Sequence, residues 1–397
     1  MRLGIAGAGI AALQVLPHLA SIKDRLVLSA LADVRRENMD FLAERYGRPV
    51  QRFDTVEAMC ASEAVDAVWV ASPNALHADH VIAAAKHGKH VICEKPMAVT
   101  LEQCERMVEA VDRHGIKFVQ GHSKVYDTPI RKMGEILASG ELGRVVHIQT
   151  WNWNDWLLRA LVDSEVDTEQ GSGVVFRQGP HQTDIVRFLG GGLVRSVKAV
   201  AGRHEPAFPK GEGNYTAMLE FEDGAAATMV FDGYGYFDVA ELTWGIGESG
   251  QRMKNPESIV PRARPKGPMT AAEKHDLVRT GNPYGFGAGG GWDESSPRRN
   301  PFFGLTVVSC ERGVMRQHPD GIYVYTREGR RAVEAPAHRG RAAELMELVE
   351  AVEKDRPTLL DARWGMASTE VVLAILQSSR ERREIRLSRQ SRAPRLG

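Results

Sequence analysis

The chain has 397 residues and carries 51 basic against 51 acidic side chains, so its formal net charge is zero. This length predicts two or three domains, and a content of 43% hydrophobic and 26% charged residues excludes a fibrous or disordered chain. The balanced charge provides no basic field for a phosphate backbone, which argues against nucleic-acid binding. No apolar run approaches the roughly 18 residues that span a membrane.

The cysteines and the N-terminus give no sign of secretion. The four cysteines match neither a disulfide framework nor a zinc pattern, and the N-terminus lacks the cleavage region of a signal peptide. We therefore expect a reduced, cytoplasmic protein that binds no metal, no nucleic acid and no membrane. The cysteines are Cys60, Cys93, Cys104 and Cys310.

Residues 1–121 alternate short apolar runs with amphipathic stretches. This alternation predicts an α/β domain with a doubly wound parallel sheet. Pro17 fits this pattern poorly, because a proline inside a helix should kink it. The predicted strands are Arg2–Ala6, Leu26–Ala32, Val65–Ala71, His90–Cys93 and Lys117–Gly121, and the predicted helices are Ile10–Leu19, Asn38–Tyr46, His77–His87 and Leu101–His114.

Residues 122–336 contain runs of strands with few helices. Such runs predict an α+β domain with a largely antiparallel sheet. The Pro-, Gly- and Arg-rich stretch Gln251–Asn300 is predicted to be a surface excursion, either a lid or a mobile loop. The predicted strands are Val145–Trp153, Val194–His204, Tyr215–Phe221, Ala226–Phe231, Val239–Ile246, Thr306–Ser309 and Ile322–Thr326, and the predicted helices are Pro129–Ala138 and His181–Leu189.

Residues 337–397 form the C-terminal part of the chain. Two helices, Ala342–Lys354 and Trp364–Arg380, are expected to pack back on the first domain. The last nineteen residues hold seven arginines against two glutamates. We expect them to form a solvated, frayed end.

A glycine-rich turn, Gly7-Ala8-Gly9-Ile10-Ala11-Ala12, follows the first predicted strand and begins a helix at Ile10. In this context Gly7 permits a tight turn, Gly9 lets the backbone approach a pyrophosphate, and Ala12 allows close packing of the helix. The helix N-terminus offers N–H groups to the phosphates. The turn therefore predicts a dinucleotide site.

Asp33 closes the second predicted strand, where a carboxylate accepts hydrogen bonds from the adenosine ribose. A 2′-phosphate beside this carboxylate would be repelled, so Asp33 favours NAD. Arg35 and Arg36 follow it and could pair with such a phosphate, or they could be a solvated helix start. NAD is the predicted cofactor and NADP the alternative.

A lysine follows the fourth predicted strand, in the run Cys93-Glu94-Lys95-Pro96. An open α/β sheet binds its ligands at the carboxyl ends of the strands. Partial burial lowers the pKa of a lysine toward neutrality, which suits proton transfer. Lys95 is therefore a candidate proton-handling residue, with a plain surface lysine as the alternative. Whether a cis bond precedes Pro96 is left open.

Several motifs resemble the Gfo/Idh/MocA family of nicotinamide-dependent oxidoreductases, over nearly the whole chain. The resemblance implies a Rossmann domain followed by an open-faced α/β sheet domain, and oxidation or reduction of hydroxyl-bearing rings. It implies that Lys95 and His181 are catalytic and that Ser72, Asn74, His77 and Glu94 belong with Lys95 to the cofactor site. The motifs are Gly7–Ala12, Ser72-Pro73-Asn74 with His77, Glu94-Lys95-Pro96, and Gly171-Ser172-Gly173 leading to His181 and Asp184.

One position departs from the family pattern. The family has an aspartate four residues before the histidine, and this sequence has Arg177 there. Loss of the acid puts the usual sugar-oxidising arrangement in doubt, whereas the planar guanidinium matches a carboxylate. Arg177 therefore predicts an anionic substrate. In the alternative, Arg177 turns outward and pairs with a structural acid such as Asp184.

Further segments narrow the resemblance to a subgroup that includes phthalate 4,5-cis-dihydrodiol dehydrogenases. The implied substrate is a carboxylated cyclohexadiene cis-diol, which is oxidised to a catechol acid. These segments are Gly121-His122-Ser123, Trp151–Trp156, Val174–Gln178 and Phe303–Cys310.

The candidate substrate residues agree with this resemblance. Trp151, Trp153 and Trp156 are predicted to alternate onto the sheet face, where they could pack a flat ring. Lys124 is a second candidate for a carboxylate, beside Arg177. Core or interface packing is the alternative for the tryptophans.

The resulting hypothesis is NAD(P)-dependent oxidation of an anionic cyclic diol. His181 takes the hydroxyl proton and Lys95 hydrogen-bonds the same oxygen, with Arg177 and Asp184 among the substrate residues. The alternatives are a sugar or inositol dehydrogenase and, from another class, a non-catalytic dinucleotide sensor. The resemblance also implies a homo-oligomer, either a dimer or a tetramer.

Overall fold

The computed structural model describes residues 1–121, 124–254, 267–280, 292–293, 295–337 and 340–394. The chain divides into two compact units, Met1–Ser123 with Arg339–Thr369 and Lys124–His338 with Glu370–Gly397. The sequence analysis treated residues 337–397 as one C-terminal part that packs back on the first domain. In the structure the boundary between the units falls inside the last long helix instead.

Strands and helices alternate through residues 1–121. Most were predicted, but the short strand and helix at residues 51–61 were missed because they are too brief to show a hydrophobic period. The elements are β1 (Arg2–Ala6), α1 (Ile10–Ser21), β2 (Val27–Ala32), α2 (Arg36–Tyr46), β3 (Gln51–Phe53), α3 (Val56–Ala61), β4 (Ala67–Val70), α4 (His77–Lys86), β5 (His90–Glu94), α5 (Leu101–His114) and β6 (Phe118–Gly121), with a 3-10 helix at Asn74–Leu76.

The first unit contains a six-stranded sheet in the order β3-β2-β1-β4-β5-β6. Every pairing in it is parallel. Its central strands are buried, with Ile5 and Trp69 at 0% exposure, as expected for a sheet covered on both faces. The strand order reverses at β1 and β4, which is the switch point where such sheets bind ligands. Helix α1 runs through Pro17.

The rest of the described chain contains elements that alternate less regularly. They are α6 (Thr128–Ser139), β7 (Val145–Trp153), α7 (Asp163–Val166), α8 (Gly173–Arg177), α9 (Gly179–Leu189), β8 (Val194–Gly202), β9 (Asn214–Phe221), β10 (Ala226–Asp232), β11 (Arg252–Met253), α10 (Ala271–Arg279), β12 (Trp292–Asp293), β13 (Leu305–Cys310), β14 (Gly313–His318), β15 (Gly321–Thr326), β16 (Gly329–Glu334), α11 (Gly340–Glu353), α12 (Ala362–Glu381) and β17 (Ile385–Arg386), with 3-10 helices at Trp156–Leu158, Thr168–Gln170 and Val239–Leu242.

The second unit is built on a nine-stranded sheet in the order β16-β15-β14-β13-β7-β10-β9-β8-β17. Its pairings are antiparallel except that of β7 with β10. Along β10, Ala227, Met229 and Phe231 are buried while the residues between them are half-buried. This alternation shows one core-facing side. The predicted fold class is confirmed: a parallel Rossmann sheet followed by a largely antiparallel sheet.

One predicted strand is wrong. The stretch Val239–Ile246 contains a 3-10 helix and turns, because the Asp238 carboxylate accepts a hydrogen bond from the Ala240 N–H at 2.8 Å and caps the helix. Strands β14 and β16 were missed, because their arginines and other polar residues obscure the apolar alternation. In β16, which lies at the sheet edge, such charges protect against unwanted pairing.

The arginine-rich end is held in place up to residue 394, which corrects the expectation of a frayed tail. Strand β17 pairs with β8. The Glu370 carboxylate accepts backbone hydrogen bonds from Ser388 at 2.7 Å and Arg389 at 2.9 Å. Arg187 is fully buried and donates to the Gln390 side chain at 3.1 Å. Charge density predicted solvation, but these long-range partners tie the segment to the second unit.

The predicted surface excursion Gln251–Asn300, a lid or a mobile loop, lies partly outside the described residues. Residues 255–266, 281–291 and 294 of Gln251–Asn300 belong to the undescribed ranges, as do His122 and Ser123 of the subgroup motif. The described part of this stretch includes α10, which begins at a capping box of Thr270 and Glu273. Within the described ranges, no helix is both long and apolar enough to cross a membrane.

Candidate functional site

The glycine turn after β1 has the geometry that the sequence predicts. Gly7 has φ +99°, and a Cβ at this position would lie 2.8 Å from the Ala71 carbonyl oxygen. The Gly7 N–H donates to Ala32 O at 2.8 Å. Gly9 precedes α1, and a Cβ there would meet no atom within 4 Å. Gly7 is therefore required by the protein itself, whereas the space beside Gly9 fits an approaching pyrophosphate.

Asp33 joins the end of β2 to the glycine turn. One carboxylate oxygen accepts from the Ala8 N–H at 2.7 Å and the other from the Arg35 N–H at 2.8 Å. An ionised carboxylate has about four acceptor sites, so Asp33 can still accept from ribose hydroxyls. The Arg35 and Arg36 side chains are exposed. The arrangement fits the predicted dinucleotide site.

The loop after β4 carries Ser72, Asn74 and His77. Both ring nitrogens of His77 lie against backbone carbonyls, Nδ1 2.9 Å from Pro96 O and Nε2 2.9 Å from Ser72 O. His77 is only 1% exposed, and burial lowers its pKa. The imidazole therefore ties the Ser72 loop to the loop after β5. This is a supporting contact that the predicted cofactor role did not anticipate.

Lys95 follows β5, and its peptide bond to Pro96 is cis. The backbone before it is held firmly: the Gln120 amide donates to Cys93 O at 3.1 Å and to Glu94 O at 3.2 Å. Lys95 is half-buried between buried neighbours. The lysine thus projects from a rigid strand end.

Parallel pairing brings these first-unit residues together. The glycine turn follows β1, the Ser72 loop follows β4 and Lys95 follows β5, and these strands are neighbours in the sheet. Because parallel neighbours end at the same edge, the predicted cofactor residues and Lys95 share one edge of the sheet.

His181 is the third residue of α9 in the second unit. Its ring lies 4.8 Å from the ring of Phe303, measured between centroids. The Lys124 ammonium lies 5.6 Å from the centroid of the same Phe303 ring and donates to Glu248 O at 2.7 Å. Phe303 therefore brings together two predicted residues that are 57 positions apart. The sequence analysis gave Phe303 no role of its own and included it only in the segment Phe303–Cys310.

Arg177 ends α8 and pairs with Glu165, with 3.4 Å between Nη2 and Oε1. Its side chain remains 34% exposed. Glu165 also pairs with Lys274 of α10 at 3.4 Å, and burial lowers the pKa of Lys274. The alternative partner Asp184 is fully buried in α9. Glu165 and Lys274 were missed, because charges in loops and short helices give no sequence signal.

A second set of charges lies beside this group. Arg159 pairs with Asp155 at 3.2 Å and with Glu248 at 3.4 Å, the residue whose carbonyl binds Lys124. The Arg159 charge acts on Lys274 and further lowers its pKa, after burial and the Arg177 charge. Ion pairs thus hold Arg159, Arg177 and Lys274 at defined positions in the second unit.

The tryptophans occupy two different environments. Trp151 and Trp153 lie on the same side of β7, and the Trp153 ring makes an edge contact with Phe237 at 5.9 Å between centroids. Trp156 lies beyond the strand in a 3-10 helix and is 2% exposed. The prediction that all three share the sheet face is therefore wrong for Trp156, since β7 ends at Trp153.

A metal site is not evident in the described ranges of the chain, where no group of three or more His, Cys, Asp or Glu side chains could hold an ion.

Family models match both parts of the chain. Residues 1–122 match the oxidoreductase family with an NAD-binding Rossmann fold, and residues 130–238 match the C-terminal domain of the GFO/IDH/MocA proteins.

Known proteins resemble the chain to different extents. A Comamonas testosteroni protein named 1-carboxy-3-chloro-3,4-dihydroxycyclohexa-1,5-diene dehydrogenase is 31% identical over 96% of this chain and 95% of its own length. Inositol 2-dehydrogenase 2 of Saccharopolyspora erythraea is 36% identical, but over 49% of this chain and 56% of its own.

A solved structure resembles this chain over nearly its whole length. The crystal structure of a protein described as a dehydrogenase, from Bordetella bronchiseptica RB50, has a TM-score of 0.86 and 33% identity, and the match covers 98% of this chain and all of the other. The chain therefore belongs to the Gfo/Idh/MocA family of oxidoreductases, and its first domain is an NAD-binding Rossmann fold.

Proposed function

We propose that this protein oxidises a carboxylated cyclohexadiene cis-diol to the corresponding catechol acid. The observation that carries the proposal is Arg177, a half-exposed guanidinium four residues before His181, where the family has an aspartate. A guanidinium binds a carboxylate through two parallel hydrogen bonds, and an aspartate would repel it. The Comamonas relative, whose name describes a carboxylated cyclohexadiene diol, supports this substrate class.

The proposed roles follow from the chemistry of the side chains. His181 accepts the proton of the reacting hydroxyl, and Lys95 hydrogen-bonds the same oxygen and stabilises its developing negative charge. NAD, when bound, accepts the hydride from the ring carbon. Arg177 and Lys124 bind carboxylates, Trp153 packs against the ring, and Asp184 supports His181 from one turn further along α9.

The cofactor form is proposed from Asp33. Its carboxylate lies where the adenosine ribose is expected, and both of its oxygens are held by backbone N–H groups. A 2′-phosphate would bring negative charge beside a carboxylate that cannot swing away without breaking these bonds. NAD is therefore preferred to NADP, although Arg35 and Arg36 leave NADP as the alternative.

A substrate panel tests the proposal. Purified protein is given carboxylated and neutral cis-diols of the same ring, each with NAD and with NADP, and the absorbance of the reduced nicotinamide is followed. We expect turnover of the carboxylated diols with NAD. Turnover of neutral diols with equal kcat/KM would contradict the role of Arg177.

A sugar or inositol dehydrogenase is the second candidate. It is favoured by the 36% identity to inositol 2-dehydrogenase 2 over half of the chain. This candidate predicts oxidation of cyclic polyols that lack a carboxylate, so including inositols and aldoses in the panel distinguishes the two.

We further propose a cytoplasmic homo-oligomer, a dimer or tetramer formed through the second sheet. Its uncovered face carries exposed Val200 and Met218 on neighbouring strands, at 53% and 54% exposure. A second copy of the chain would remove these side chains from water. Light scattering of the purified protein, compared with Met218→Lys, tests the assembly.

A further inference from the structure

A buried cluster of three charges lies in the first unit, beside Lys95. Arg341, in the first turn of α11, donates to Glu94 Oε1 at 2.5 Å and to Glu344 Oε1 at 3.0 Å. The side chains of Glu94 and Glu344 are 10% and 0% exposed, and that of Arg341 is 22% exposed. Buried carboxylates are costly unless they are paired, so the ion pairs with Arg341 stabilise both acids here.

The surroundings of the cluster are closely fitted to it. The Arg341 guanidinium lies 5.5 Å from the centroid of the Trp69 ring, on β4. Gly121, the last residue of β6, could not be replaced freely. A Cβ there would lie 2.7 Å from Cys93 O, 3.3 Å from Glu344 Oε1 and 3.3 Å from Glu94 Cα. The strand ends and the helix thus enclose the guanidinium from several sides.

The cluster connects directly to the backbone of Lys95. Glu94 Oε1 is bound by Arg341, while its Oε2 accepts from the Lys95 N–H at 3.3 Å. On the other side of Lys95, Pro96 O is bound by His77. Arg341 is 247 positions from Glu94, and it brings the C-terminal part of the first unit onto the motif that carries the lysine.

We propose that Arg341 is a positioning residue for Lys95: it holds the Glu94 carboxylate on a guanidinium, and thereby keeps both the backbone and the amine of Lys95 in the reactive arrangement. This inference rests on the proposed function for the role of Lys95 in turnover. Glu344 completes the site by holding Arg341 from within the same helix.

Loss of Arg341 has a defined electrostatic consequence. Glu94 would lose its ion-pair partner while remaining next to Lys95 in the chain, and the positive charge of Arg341 would no longer lie beside the motif. Both changes favour the protonated lysine, because an unpaired neighbouring carboxylate attracts the ammonium and no guanidinium opposes it. A merely structural ion pair would leave the protonation of Lys95 unchanged.

The test compares Arg341→Met with a matched control, Arg363→Met. Arg363 also joins the C-terminal part of the first unit to the remainder, through two hydrogen bonds to Asp112 at 3.0 and 2.7 Å, but it does not touch the Lys95 motif. Two quantities are measured on the full chain: kcat with the best diol of the panel, and the pH midpoint of Lys95 acylation by acetic anhydride, followed by mass spectrometry.

We expect R341M to lower kcat by about 10- to 100-fold, because small displacements of a reacting group are costly. The acylation midpoint should rise by about one pH unit. R363M should change neither, and adding Glu94→Gln to R341M should return the midpoint toward that of the unmutated protein. Equal midpoints in R341M, R363M and the unmutated protein would overturn the proposal.

The two readouts separate this inference from the proposed function. A raised midpoint in R341M supports the positioning role even if no diol is oxidised, in which case the proposed function fails alone. If R341M does not fold, Arg341→Lys is measured. This variant keeps the charge but loses the planar fork, so a smaller change in the same direction supports the proposal and an unchanged midpoint contradicts it.

Discussion

The Lys95 loop of the first unit and the His181 region of the second unit are held in different ways. Around Lys95, the anchors are mostly backbone groups at the ends of parallel strands, bound by Gln120 and His77. Around His181, side chains from distant segments meet on an aromatic ring and in ion pairs. The strand ends fix the position of Lys95 whichever substrate is bound. The charged and aromatic side chains of the second unit can instead distinguish one substrate from another. The difference predicts that variants in the two regions will fail in different ways.

The largest effect is expected at Lys95. Lys95→Ala should lower turnover by about 100- to 10,000-fold, because it removes a positioned proton-handling group. The affinity for NADH, measured by fluorescence titration, should change little, because the glycine turn and Asp33 remain. Turnover close to that of the unmutated protein would contradict the assignment.

Two glycines in the same turn should separate folding from binding. Gly7→Ala should destabilise the protein by about 1–3 kcal/mol, because φ +99° is strained for alanine and its Cβ would meet Ala71 O at 2.8 Å. Gly9→Ala should leave the melting temperature nearly unchanged, because its Cβ would meet no protein atom within 4 Å. It should weaken NADH binding, because the Cβ would occupy the space that fits the pyrophosphate. Equal melting temperatures for both variants would contradict this distinction.

A selective effect is expected at Arg177. Arg177→Leu should lower kcat/KM for carboxylated diols by about 10- to 100-fold, the range of a lost charged hydrogen bond, with a smaller change for neutral diols. Arg195→Leu is the matched control, because Arg195 is equally exposed at 34% and pairs with Glu220 on the sheet. Equal losses on both diol classes would show that Arg177 supports the fold and not the substrate.

The smallest effect concerns the pH dependence of stability, which arises at buried and half-buried histidines, including His318 of the second unit, whose pKa burial also lowers. Burial lowers the pKa of His77, His80 and His90, all in the first unit. The unfolded chain therefore binds protons that the folded chain does not, so stability is complete above about pH 6.5 and is lost as the pH falls below it. The melting temperature should therefore fall between pH 7 and pH 5, and His90→Gln should make this fall smaller. An unchanged pH dependence would exclude His90 as a contributor.

The first unit was the more predictable of the two. Strand β1, helix α5 and the glycine turn were placed correctly because burial, helical period and turn chemistry agree over a few consecutive residues. The second unit was harder, because its contacts join positions that lie far apart. Val239–Ile246 alternates like a strand but contains a capped 3-10 helix and turns. Trp156 follows Trp153 after three positions but lies beyond the end of β7.

The site residues divide in the same way. Gly7, Asp33 and Lys95 follow predicted strands and could be found by position alone. Phe303 becomes a candidate only through its contact with the His181 ring, Glu165 through its ion pair with Arg177, and Lys274 through its ion pair with Glu165. Arg341 and Glu344 were not singled out from the sequence, since oppositely charged residues three positions apart are common on exposed helices.

The sequence by itself determined the alternation of strands and helices in the first domain, the dinucleotide turn and the charge types available for chemistry. These properties depend on neighbouring residues, whose periodicity and backbone requirements can be read directly. The tertiary structure alone decided which charges neutralise one another. A chain with 51 basic and 51 acidic residues does not say that Arg341 lies between two buried carboxylates, or that Glu165 holds both Arg177 and Lys274. Those pairings arise because folding buries the charges, and a buried charge must find a partner wherever the chain provides one.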